Sequence, residues 1–247
     1  MTAGAVVVAV AAVLLLALGV LTRRPLAQPV PDLDGYFARW QELHGGYDMR
    51  TGSRIARGWL TGVYALCRPL AGAGVQPDVV TLVSVEVCGV AAVLAAGSGR
   101  LPLLAGVVVT LGAALDNADG CVAVLTGRVT RWGYLLDSLA DRVSDVLVLL
   151  ALRAAGGSGA VCVAAGGVLF LLEYLRARAV GAGVDDVGVV SIGERPGRLI
   201  VAIFALLAAG VLPAHAADLA TVGAAATLGL AAVGLLQVGT AVRARLR

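Results

Sequence analysis

The sequence predicts an all-α, polytopic membrane protein: a helical bundle of six core transmembrane helices, an interfacial helix and one extra N-terminal transmembrane helix. Three observations predict it. Of 247 residues, 59% are hydrophobic and 14% charged, with a mean hydropathy of +0.91; a soluble domain of this length would need more polar surface to cover its core. The apolar residues fall into blocks of about 20, the length a helix needs to cross a hydrocarbon core. Ala, Val, Leu and Gly dominate while aromatics make up 4%, and small residues let helices approach closely in lipid, where packing replaces the hydrophobic drive.

Residues 3–22, AGAVVVAVAAVLLLALGVLT, form an unbroken apolar run that ends at Arg23-Arg24. A secretory signal carries its positive charge before a shorter apolar run, so an uncleaved span with its N-terminus outside is expected, closing a first segment over 1–24. Residues 25–52 are polar and read as a cytoplasmic linker. In residues 53–75, Arg54, Arg57 and Arg68 alternate with Trp59, Leu60, Val63 and Leu66. That spacing suits a helix lying in the interface with its arginines toward lipid head groups. The second segment is therefore 25–75 and the third, the main membrane domain, 76–247.

The six core spans are expected at 79–97, 101–118, 133–152, 159–178, 197–212 and 219–240. Counted from a cytoplasmic linker, the aspartate-rich loop 119–132, the loop 176–198 and the C-terminal RARLR fall inside. These inside segments carry Arg128, Arg131, Arg176, Arg178, Arg195, Arg198, Arg243, Arg245 and Arg247, whereas the outside loops carry Arg100 and Arg153. The positive-inside bias supports the same topology without reference to the span count. Cys67, Cys88, Cys121 and Cys162 show no paired or metal-type spacing and read as buried reduced thiols. His44 and His215 stand apart, with no second ligand at helical spacing.

The chemistry concentrates in LDNADGCVAVLTGRVTRWGYLLDSLADR, residues 115–142. Asp116 and Asp119 are one helical turn apart and share a face; Asp137 and Asp141 do the same on the next helix. Carboxylates that close repel unless a cation sits between them, and burial near lipid sharpens the repulsion. Hard oxygen ligands at this density suit Mg²⁺ or Mn²⁺, as two ions, a pair that clamps phosphate oxygens in an in-line displacement. Gly120, Gly127 and Gly133 allow close backbone approach to a ligand. The bland alternative is helix capping and pairing with Arg128, Arg131 and Arg142, which suits one aspartate better than four. Asp145 continues the second face by a turn but has Arg142 beside it, and is left outside the site.

These residues resemble the hallmark of the CDP-alcohol phosphatidyltransferase family, D-x-x-D-G-x-x-A-R-x8-G-x-x-x-D-x-x-x-D. Here it reads Asp116, Asp119, Gly120, Ala123, Gly133, Asp137 and Asp141 with every spacing kept. The stretch QPDVVTL, with Pro77 and Thr81, is similar to the family's Pro-Asn-x-x-Thr entry to its first core span. One position departs: the family's arginine after Ala123, which helps hold the nucleotide-linked phosphates, is Val124 here. Arg128, one turn on, is the expected substitute.

The resemblance implies a single displacement, in which the hydroxyl of an acceptor alcohol attacks the lipid-bearing phosphate of a CDP-activated lipid and CMP leaves. It implies Asp116, Asp119 and Asp137 as metal ligands and Asp141 as the general base with metal contact. Gly120, Ala123, Arg128 and Gly133 would then receive the CDP-lipid. Residues 173–200 place Arg176, Arg178, Arg195 and Arg198 on the cytoplasmic side and are similar to the ARAE…ERPxR region of actinobacterial phosphatidylinositol-phosphate synthases. Arginine clusters bind phosphate, so the acceptor leans toward a phosphorylated polyol, inositol phosphate or glycerol phosphate; positive-inside anchoring would explain the same arginines without a ligand. The expected setting is the plasma membrane, multi-pass, with the site facing the cytoplasm, and nucleic acid is not expected as a partner. Relatives of this kind form homodimers, and the Gly/Ala-rich spans 159–178 and 219–240 offer faces for one. Two other functions compete: a cation transporter, and a catalytically silent homologue.

Overall fold

The computed structural model describes residues 17, 19–26, 28–43, 48, 50–51, 53–184, 191 and 193–247. Among them every regular element is helical: α1 (Leu33–Leu43), α2 (Arg54–Gly72), α3 (Pro77–Ala95), α4 (Leu101–Thr126), α5 (Arg131–Ala154), α6 (Gly159–Gly181), α7 (Arg195–Val211), a 3₁₀ turn (Pro213–His215) and α8 (Ala216–Arg245). Four stretches are long and apolar enough to cross a membrane: α3, α4, α6 and the run Pro213–Arg245. This is a multi-pass membrane protein. Of the two other expected core spans, α5 carries Asp137, Asp141, Arg142 and Asp145 along its length, and α7 is 17 residues long. Apart from its last residues, the span expected over 3–22 lies outside the described residues.

Two expectations are corrected. The linker 25–52 contains a helix, α1, because Leu33, Tyr36, Phe37 and Trp40 recur at i, i+3, i+4 and i+7 and give it an apolar stripe. The stretch 119–132 is not a loop throughout, since α4 runs on to Thr126. α4 stops at Gly127, whose φ of +68° is open to glycine; the Arg128 N–H donates to the Ala123 carbonyl at 2.9 Å and caps the helix end. α5 then starts at once, with the Thr130 hydroxyl oxygen accepting the Gly133 N–H at 2.9 Å as an N-cap.

Residues 1–86 and 111–141 form one compact unit; residues 87–110 and 142–247 form a second. The core of the first joins Tyr36 and Phe37 of α1, Val63, Tyr64 and Cys67 of α2, and Ala118, Cys121, Val122 and Leu125 of α4. The Tyr36 and Tyr64 rings lie 5.6 Å apart. Burying a side chain such as Phe37 stabilises by roughly 1.5–3 kcal/mol, so α1 is held to α4 by packing and is not a passing strand of linker. The second unit uses small residues instead: Ala165, Ala202, Ala220, Ala224 and Ala231 are fully buried, and a Cβ at Gly210 would overlap the Leu103 backbone. All four cysteines are buried free thiols.

Candidate active site

α4 carries Asp116 and Asp119, and α5 carries Asp137 and Asp141. Carboxylate oxygens of Asp116, Asp137 and Asp141 lie within 4.8 Å of one another, all three side chains partly buried. Asp119 stands one turn on from Asp116 along α4. It is 5% exposed, and its Oδ2 accepts the Thr81 hydroxyl at 2.5 Å while its Oδ1 accepts the Gly120 N–H. Of the four expected carboxylates, three bring oxygens within 4.8 Å of one another, and Asp119 beside them is bonded to Thr81 of α3.

Two cavities meet these residues. One, of about 280 Å³, is bordered by Asp116, Asp119, Asp137 and Asp141, with Tyr36 and Trp40 of α1 on its wall. The other, of about 410 Å³, is bordered by Thr81, Asp119, Gly120, Ala123, Arg128 and Gly133. A Cβ placed at Gly120 would meet nothing within 4 Å, so the wall is open there, whereas the ordinary function of Gly127 is to end α4. Arg128 lines the larger cavity and is anchored by Nη2, which donates to the carbonyls of Arg24 at 2.9 Å and Pro25 at 3.2 Å.

Three hard carboxylate oxygens at this separation fit a divalent cation of the Mg²⁺ or Mn²⁺ type. Asp116, Asp137 and Asp141 are the residues that would hold it. Sequence reasoning missed Thr81 as the group that fixes Asp119, although it had marked Thr81 as part of a motif. It also missed Tyr36 and Trp40, whose signal was the apolar spacing within 33–40.

The second unit gathers the arginines. Asp145, set aside on sequence grounds, is 8% exposed and lies 3.3 Å from Arg142, 3.6 Å from Arg195 and 3.6 Å from Arg198. Glu173 is 3.2 Å from Arg142 and 3.6 Å from Arg198. Arg198 is 3% exposed, and a buried guanidinium survives only with such partners. Arg176 pairs with Glu194 at 2.6 Å, and the Ser191 N–H also donates to Glu194 at 3.1 Å. Burial would raise the Glu194 carboxyl, but the bonds from Arg176 and Ser191 outweigh it and hold the group below its usual range. Arg178 is exposed. Arg176, Arg195 and Arg198 are therefore engaged with carboxylates, not simply presented to solvent as anchors.

The CDP-alcohol phosphatidyltransferase family model matches residues 75–238, which include the whole aspartate motif. The chain belongs to the CDP-alcohol phosphatidyltransferase family. As such a transferase, it is 36% identical over 157 residues to the archaetidylinositol phosphate synthase of Aeropyrum pernix, covering 62% of this chain and 76% of that one. It is 34% identical over 158 residues to the phosphatidylinositol phosphate synthase of Corynebacterium glutamicum, covering 59% and 69%. Among solved structures, Mycobacterium tuberculosis phosphatidylinositol phosphate synthase with CDP-DAG bound superposes with a TM-score of 0.59 at 25% identity, covering 73% of this phosphatidyltransferase and 92% of that chain. The same enzyme in complex with manganese and citrate gives a TM-score of 0.60 at 24% identity, covering 73% and 88%.

Proposed function

We propose that this phosphatidyltransferase moves the phosphatidyl group of CDP-diacylglycerol to the hydroxyl of a phosphorylated polyol, inositol phosphate ahead of glycerol phosphate, releasing CMP in phospholipid biosynthesis. The observation that carries the reading is the trio Asp116, Asp137 and Asp141, with oxygens within 4.8 Å, in a chain where a second cavity beside them is walled by Gly120 and Ala123. The names of the relatives, synthases of inositol-phosphate lipids, favour inositol phosphate as acceptor. The manganese and CDP-DAG in the two mycobacterial structures favour the metal and the donor.

In this reading Asp141 accepts the proton of the acceptor hydroxyl, whose oxygen attacks the lipid-bearing phosphorus as the bond to CMP breaks. Asp116, Asp119, Asp137 and Asp141 would hold Mg²⁺ or Mn²⁺, as two ions, which when bound would neutralise pyrophosphate charge. Asp119, positioned by Thr81, stands at the junction of the two cavities. Gly120, Ala123, Arg128 and Gly133 receive the CDP moiety, the glycines by leaving room and Arg128 by charge. In the second unit Arg176, Arg178, Arg195 and Arg198 supply the cations for the acceptor's phosphate, with Asp145, Glu173 and Glu194 setting their positions. The same reading sets the enzyme in the plasma membrane, with the site toward the cytoplasm, and as a homodimer.

The test is CMP release by purified protein from CDP-diacylglycerol with Mg²⁺ or Mn²⁺ across a panel of acceptor alcohols. Release that requires inositol phosphate and disappears in Asp141→Asn is the expected result. Release with glycerol phosphate alone would replace the acceptor; no release with any acceptor would make the chain a silent homologue. Family membership gives no support to the transporter alternative.

A further inference from the structure

α1 lies outside the family-matched residues 75–238 and yet is part of the site. Tyr36 and Trp40 border the cavity of the aspartates, and Leu43 borders the cavity of Gly120 and Ala123. Between these positions on the helix, Arg39 borders a third cavity, of about 450 Å³, together with Glu42, Leu43 and Thr126. One residue belongs to the walls of all three: Val124. Arg39 reaches it directly, Nη1 donating to the carbonyls of Val124 at 3.4 Å and Leu125 at 3.5 Å.

These bonds are long, near the limit at which such contacts count, and they occupy one nitrogen of a group with five N–H donors. Among the described residues no carboxylate pairs with Arg39 in an ion pair. A cation at the carbonyl end of a helix is stabilised by the helix dipole, which explains why the guanidinium rests at the end of α4. It does not explain the charge pattern around it. The three cavities are bordered by the four aspartates of the motif and by Asp78 and Glu42, and the basic side chains on their walls are Arg128 and Arg39. A pyrophosphate substrate needs cations that can form a planar, forked contact, and the position between the cavities is the apolar Val124.

We propose that Arg39 is a substrate-binding residue, swinging from the Val124 and Leu125 carbonyls to the pyrophosphate of the CDP-linked lipid and supplying the charge that position 124 lacks. The helix α1, with Tyr36 and Trp40, is then a working wall of the active site contributed from outside the family core. This rests on the reading above that the site takes a CDP-linked lipid.

The test compares Arg39→Ala, Val124→Arg and the double variant by steady-state kinetics and by equilibrium binding of CDP-diacylglycerol in detergent. Arg39→Ala is expected to weaken CDP-diacylglycerol binding and raise its KM on the order of 10- to 100-fold, the loss of one charge-assisted contact. The KM of the acceptor and the thermal midpoint should stay near wild type. Adding Val124→Arg should recover most of the lost affinity, because it returns a guanidinium to the same place by another route. Unchanged donor affinity in Arg39→Ala overturns the proposal. So does a loss that follows the thermal midpoint and is not recovered by Val124→Arg, since that is the behaviour of a helix cap. Binding is read without turnover, so a wild-type protein that binds the CDP-lipid but releases no CMP would remove the reaction proposed above and leave Arg39 to be judged on affinity.

Discussion

Replacing Thr81 with valine keeps the shape of the side chain and deletes its hydroxyl. Thr81 is 3% exposed and its partner Asp119 is 5% exposed, so the valine variant deprives Asp119 Oδ2 of a donor that stands 2.5 Å from it. A buried acceptor left without its donor costs about 1–3 kcal/mol. If the bond serves mainly to aim Asp119, most of that energy is felt in the reaction, as a fall of roughly 10- to 100-fold in kcat/KM for CDP-diacylglycerol. Thr81→Ser retains the hydroxyl and should stay within a few-fold of wild type. The assay is CMP release against CDP-diacylglycerol concentration at several Mg²⁺ levels, beside thermal denaturation in detergent. Wild-type kinetics in Thr81→Val would refute the reasoning, as would a serine variant as impaired as the valine one.

Two further outcomes follow from the second unit. Asp145→Asn removes the carboxylate shared by Arg142, Arg195 and Arg198 and should destabilise by about 3–5 kcal/mol, because it leaves the buried Arg198 poorly compensated; Arg198→Met in the same background should recover part of the loss, a coupling read by a double-mutant cycle of thermal midpoints. The Glu194 carboxyl is held below its usual range, so its pairing contributes stability that is present above the ordinary glutamate pKa and is lost as pH falls through the lowered folded value. Acid titration of wild type should therefore show an acid-side loss of stability that Glu194→Gln does not.

The fold class was legible because it depends on composition and periodicity. Runs of apolar residues long enough to cross a bilayer, punctuated by Gly, Pro and Arg, leave helices as the form that satisfies the backbone in lipid. α3, α4, α6 and α8 accordingly start or end within a few residues of the expected bounds. α1 was equally legible in principle, from the spacing of Leu33, Tyr36, Phe37 and Trp40, but the polar content of 25–52 masked an 11-residue stripe. The end of α4 was harder, because aspartates and a glycine read as a loop when no neighbour is known, while Gly127 is the residue that stops the helix.

What the sequence by itself determined is the motif: helical spacing puts Asp116 with Asp119 and Asp137 with Asp141, and names the chemistry that carboxylates at that spacing can support. Which carboxylates meet was decided by tertiary structure. Facing helices bring Asp116, Asp137 and Asp141 within reach of one cation, while a hydroxyl thirty-eight positions earlier, on Thr81, takes Asp119. The same holds for Asp145, which looked like the local partner of Arg142 and is the centre of three arginines from two helices, and for Arg39, which lies 85 residues before the carbonyl it touches. Periodicity along one helix is a property of the chain, whereas the distance between side chains on different helices depends on packing.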